Sequence, residues 1–68
     1  MNWIKGINEW TATHNGKDCW IVAICRGETE GGALEWGYRV FVDNVKQYGP
    51  EGEFYPSFDA AEQAAISH

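Results

Sequence analysis

The sequence predicts an α+β fold: a three-stranded antiparallel sheet followed by one C-terminal helix packed on one face, with residues 1–68 as a single small domain. Three observations carry this. Asn15-Gly16 separates two β-patterned runs. Residues 33–43 alternate between an apolar and a polar side. Ser57 then opens an alanine-rich run that continues to the end of the sequence.

The elements follow in order. Trp3, Ile7 and Trp10 have helical spacing, but Gly6 interrupts it at a cost to helix stability. Residues 1–8 therefore fit either a short N-terminal helix or an irregular lead-in strand. Trp10, Ala12 and His14 alternate with Glu9, Thr11 and Thr13, the period-2 pattern of a half-buried strand. Asn15-Gly16 accepts the two positive φ angles of a type I′ hairpin turn. Residues 19–25 form the partner strand. Cys19, Ile21, Ala23 and Cys25 fall on one face, and Trp20, Val22 and Ile24 on the other. A strand apolar on both sides belongs in the middle of a sheet, covered twice. Residues 26–32 hold three glycines and two acids, a composition expected of a mobile, exposed loop.

In residues 33–43, Leu34, Trp36, Tyr38, Val40 and Val42 share one face. Glu35, Gly37, Arg39 and Asp43 share the other, interrupted by Phe41. Residues 44–56 read as a connection marked by Gly49-Pro50 and Glu51-Gly52. Phe54 and Tyr55 could add a short edge strand, which Pro56 limits. Ser57 is a good N-cap, and Asp59 suits the positive end of the helix that follows. Phe58, Ala61, Ala65 and Ile66 form its apolar stripe.

Size and charge bound the function. A chain of 68 residues buries only about 60% of the surface its unfolded form exposes. It has no room for a catalytic domain beside a substrate domain. The longest apolar run, residues 19–25, is far below the roughly 20 residues a membrane span needs. No charged segment followed by an apolar stretch opens the sequence, which sets a cytoplasmic expectation. The net charge of -5 is uneven: residues 1–27 sum to +1 and residues 28–68 to -6. An acidic surface repels a phosphate backbone and attracts a basic partner.

Little points to catalysis. Cys19 and Cys25 lie about 20 Å apart along an extended strand, too far for a disulfide. With His14 and His68 they match no zinc-ligand spacing. Glu28 and Glu30, and Glu51 and Glu53, are paired carboxylates in glycine-rich segments expected to be solvated, whereas acid–base catalysis needs a desolvated carboxyl. No GxGxxG or GxxxxGK run cradles a phosphate. The expectation is a non-enzyme without metal or cofactor.

The acids and aromatics carry the functional reading. Trp10, Trp20, Trp36 and Tyr38 exceed what so small a core hides, and one helix covers only one sheet face. The other face is then either lidded by Trp3 and Ile4 or left as an interface. Glu28, Glu30, Glu51, Glu53, Asp59 and Glu62 form the expected electrostatic set. Trp36, Tyr48 and Tyr55 are the expected anchors.

Two resemblances follow from these residues. The tail from Gly49-Pro50-Glu51-Gly52 to Ala64-Ala65 is similar to the ends of β-β-β-α nucleic-acid modules, the phage integrase arm-binding and double-stranded RNA-binding domains. Those families place Lys or Arg where this chain has Phe58, Asp59 and Glu62. Such a module would use Lys5, Lys17, Arg26 and Arg39 here. The size, the carboxylates from Glu28 to Glu62 and the surplus of Trp and Tyr resemble small acidic phage-encoded inhibitors of the anti-CRISPR type. That resemblance implies an inhibitor in the host bacterial cytoplasm, monomeric or homodimeric. It would mimic DNA and block a basic, nucleic-acid-handling subunit of a CRISPR effector, type I foremost, without itself binding nucleic acid or membrane. The remaining alternative is a phage structural or assembly component.

Overall fold

The computed structural model describes residues 2–67. The elements are β1 (Ile4–Lys5), β2 (Glu9–His14), β3 (Lys17–Glu28), β4 (Leu34–Val42), β5 (Val45–Lys46) and α1 (Phe58–Ile66). The strands form one sheet in the order β1-β2-β3-β4-β5, every neighbour antiparallel. The α+β class and the C-terminal helix agree with the sequence. The sheet has five strands where three were expected, because a two-residue strand is added at each edge.

The first addition settles residues 2–8, and Met1 lies outside the described residues. Ile4 and Lys5 pair with Thr11 and Trp10, so the segment is the lead-in strand and not a helix. The second follows Asp43 and Asn44, with φ of 49° and 65°. This is a second tight hairpin turn of the same kind as Asn15-Gly16, where φ is 52° and 74°. It returns the chain so that Val45 pairs with Val42 and Lys46 with Phe41. The chain then runs back along β4. Tyr38 and Tyr55 exchange backbone hydrogen bonds of 3.0 and 2.7 Å.

Pairing register fixes the faces, since side chains alternate along every strand. Trp10, Ile21 and Val40 are opposite one another, as are Ala12, Cys19 and Val42. This is the face α1 covers. Ile21, Val40, Ala61 and Ala65 are fully buried there. The two alanines let the helix backbone approach the sheet closely. Phe58 fills the space beside them, 4.9 Å from Trp10 and 5.8 Å from Trp3 between ring centroids. Ser57 caps the helix, its Oγ accepting from the Ala60 N–H at 3.1 Å.

The opposite face carries Ile4, Thr11, Trp20 and Phe41 in one row, and Glu9, Val22 and Arg39 in the next. The expected double cover is incomplete. Trp3 turns to the helix side, where its indole N–H donates to Glu62. Ile4 stays on the open side and is largely exposed. Neither forms the lid.

Candidate binding surfaces: an acidic arm and an open sheet face

The helix is too short for the sheet. Nine residues of α1 span about 13 Å, whereas the twelve of β3 span about 40 Å. The molecule is accordingly 42 Å long and 18 Å thick. The distal β3–β4 hairpin projects beyond the core as an arm, and every residue from 25 to 36 is exposed. The arm has internal order. A bulge interrupts the pairing between Cys25 and Gly27, where Gly27 takes φ 132°. At the tip, the Ala33 N–H donates to Thr29 Oγ1 at 3.2 Å, and the Thr29 N–H to the Ala33 carbonyl at 2.8 Å. Residues 26–28, expected in the loop, extend β3, and the turn that remains is closed through Thr29.

The arm gathers part of the expected electrostatic set. Glu28 ends β3, Glu30 is at the tip and Glu35 is on β4, while Arg26 is the one cation between residues 25 and 36. Glu51 joins them from the chain that returns along β4. It lines one cleft with Glu35, Trp36, Arg26 and Phe54. Trp36 remains 42% exposed, and Leu34 beside it is also exposed.

The other expected residues are elsewhere. Glu53 is engaged internally, with one oxygen 2.6 Å from the Arg39 guanidinium and the other 3.6 Å from Lys46 Nζ. The Arg39 hydrogen bond holds its carboxyl below the usual carboxylate range. Glu62 is half-buried beneath Trp3, and Asp59 is exposed in the first helical turn. Tyr48 is exposed and borders an apolar groove with Pro50, Ala60 and Ala64. Tyr55 presents no anchor to solvent. Only 7% of it is exposed, and burial pushes its phenol pKa up. The six expected carboxylates therefore form no single ridge.

The open face is built around aromatic rings. Trp20 and Phe41 stack with centroids 4.9 Å apart. Phe54 crosses the outside of Gly37, clamped by Arg26 at 4.5 Å and Arg39 at 4.8 Å from its ring centre. Gly37 makes that seat: a Cβ there would stand 2.8 Å from the Phe54 ring.

The basic residues are divided between the faces. Register puts Lys5 and Lys17 with the helix-side residues Trp10 and His14, and Arg39 on the open side. They form no continuous basic stripe. Cys19 is buried and Cys25 exposed, both free. Burial, then Asp43 and Asp18, raise the Cys19 pKa. No group of three His, Cys, Asp or Glu is placed to hold a metal among the described residues, and His68 lies outside them. No described helix is long and apolar enough to cross a membrane.

Sequence reasoning passed over Glu35 and Leu34 as arm residues and Phe41 as a partner of Trp20. The strict alternation of residues 33–43 contained that information. Its use required knowing that the helix stops short. No protein-family model matches the chain, and no curated protein or solved structure proves similar to it.

Proposed function

We propose that this protein acts by binding, as an acidic inhibitor that docks on a basic, DNA-handling surface of another protein. The observation that carries this reading is the arm. Glu28, Glu30 and Glu35 project on a hairpin bare on both sides, with Glu51 beside its base. Trp36 and Leu34 supply exposed apolar contact at the same place. Carboxylates on a thin projection steer the arm into a cationic groove, and an adjacent indole holds it there. This is the working logic of a DNA mimic, and the DNA-binding subunit of a type I CRISPR effector is the target of choice in a bacterial cytoplasm. The acting set is Glu28, Glu30, Glu35, Glu51 and Trp36. Asp59 and Glu62 lie on the helix and contribute field rather than contact, and Tyr48 lies beside the helix, away from the arm. Glu53 serves Arg39 and Lys46.

The test is competition. Purified effector is held on labelled duplex DNA, and the protein is added after nuclease treatment of both preparations. Release of DNA with formation of a protein–protein complex supports the reading. A complex that forms only while nucleic acid is present refutes it.

A second reading has its own observation. Lys46 shares a row with Trp20 and Phe41, and Arg39 stands in the row beside it, a cation-and-aromatic combination suited to single-stranded nucleic acid. Glu9, Asp18 and Glu53 oppose it on the same side. A mobility shift with single-stranded oligonucleotides at low salt would favour this module over the inhibitor.

A further inference from the structure

The open sheet face differs in charge from the rest of the molecule. The protein carries -5 overall, with Glu28 and Glu30 on the arm and Asp59 and Glu62 on the helix. Along the open face, Glu9, Asp18, Glu35 and Glu53 are interspersed with Arg26, Arg39 and Lys46, closer to balance than the rest of the molecule. A face of interspersed opposite charges with an apolar centre is what a second, identical face can accept.

The register goes further and selects an arrangement. Glu9, Val22 and Arg39 occupy one row across β2, β3 and β4. Ile4, Thr11, Trp20, Phe41 and Lys46 occupy the row beside it. Consider two copies stacked face to face about a two-fold axis parallel to β3. That operation keeps each residue at its level along the strands and exchanges the β2 side with the β4 side. Glu9 of each copy then stands over Arg39 of the other, flanking a central pair of Val22 side chains. Trp20 meets Trp20 near the axis, Thr11 lies over Phe41, and the stem of Lys46 covers the exposed Ile4. Arg39 and Lys46 share a single carboxylate, Glu53, so among the described residues one positive charge there has no partner. Glu9 from the second copy supplies it. The axis along β3 repeats one like charge, Asp18, which lies exposed at the end of the strand beside the Asn15-Gly16 turn, whereas an axis across the strands would set β4 and β5 cations against cations and Glu9 against Glu9. Sheets pack about 10 Å apart, within reach of a glutamate and an arginine that extend toward each other. The face lies within a 42 by 25 Å outline, room for the roughly 800 Å² per partner of a standard interface.

We propose that two copies of this chain associate through the open faces of their sheets about a two-fold axis parallel to β3. The result is a four-layer helix–sheet–sheet–helix dimer. Its consequence is directional: the axis keeps both arms at the same end. The dimer presents two acidic arms side by side to one partner surface, which raises avidity without a new contact. The dimer rests on the centre of the sheet and the proposed inhibitor site on the arm beyond it, so either can fail alone.

Sedimentation equilibrium on the full chain reads the association. The expected result is a species of twice the 7.7 kDa protomer mass. A protomer mass up to the solubility limit overturns the proposal. Thr11→Arg and Glu9→Lys should each weaken dimerisation about tenfold or more while leaving the far-ultraviolet circular dichroism unchanged. Thr11 is exposed in the protomer, so its replacement does not threaten the fold. A dimer unaffected by both variants uses another surface, and the proposal is wrong. Spin labels on Glu30→Cys, in a Cys25→Ser background, read the axis. Distances between labels well below the 42 Å protomer length are expected. Tips at opposite ends of the dimer overturn the arrangement.

Discussion

Gly37→Ala adds one methyl group to the centre of β4 at the place where the return chain crosses the sheet. The new Cβ would stand 2.7 Å from Arg26 Cδ and 2.8 Å from a Phe54 ring carbon. Carbon pairs prefer about 3.5–4.0 Å, so each contact is about 1 Å short. Arg26 can swing aside. The Phe54 ring cannot move without leaving both guanidiniums, which stand 4.5 and 4.8 Å from its centre. Losing those two contacts costs about 0.5–1 kcal/mol each, and overpacking at other sites costs about 1–3 kcal/mol. Alanine recovers about 0.5–1 kcal/mol in a strand through reduced backbone entropy. The net expectation is a loss of about 1–2 kcal/mol, a large share of the few kcal/mol available to so small a domain. Urea unfolding followed by tryptophan fluorescence should show the midpoint falling by about 1 M or more, at a slope near 1 kcal/mol per M. Gly31→Ala is the control, since its Cβ would meet only Thr29 Oγ1 at 3.9 Å. It should stay within about 0.5 kcal/mol of the parent. In a Phe54→Ala background, Gly37→Ala should lose most of its cost, because both changes act on one contact. Equal midpoints for Gly37→Ala and Gly31→Ala, or an undiminished cost without the Phe54 ring, would refute the seat.

Ile21→Ala, at a fully buried position on the central strand, should destabilise by about 2–4 kcal/mol and leave the domain largely unfolded at body temperature, as read by thermal melts. Ser57→Ala removes the cap on Ala60 N–H and should cost about 1 kcal/mol in the same melts. Glu53 has its pKa lowered by Arg39, so its ion pairs stabilise the fold above the ordinary carboxylate pKa. That contribution is lost as pH falls through the depressed folded value. Glu53→Gln should therefore flatten the acid side of the stability curve, and an unchanged acid limb would count against the pairing.

The principal fold signals were local and therefore legible. Asn15-Gly16 fixed one hairpin, Ser57 fixed the helix start, and the alternation of residues 33–43 gave β4 its faces. The edge strands were not legible. Two residues show no periodicity, and Ile4–Lys5 and Val45–Lys46 exist only because neighbouring strands offer free backbone groups. Asp43-Asn44 was a usable turn signal for the second, since both residue types tolerate positive φ. The site was legible by composition and not by position. Glu28, Glu30 and Trp36 lie on the arm because the helix ends before the strands do, a length comparison between distant elements. Glu53 and Tyr55 look like surface residues in sequence. They are engaged internally because the return chain pairs with Tyr38 and brings Glu53 to Arg39.

The acidic arm is tested most directly by reversing its charge alone. Glu28→Lys, Glu30→Lys and Glu51→Lys combined leave Glu53 with its cations and the helix untouched. Binding to a DNA-free type I effector subunit would be measured over a salt series. Binding by the parent that weakens with salt, and a loss of at least tenfold in the triple variant at low salt with unchanged circular dichroism, is the expected result. Parent and variant binding with equal affinity and equal salt dependence would contradict a role for the arm.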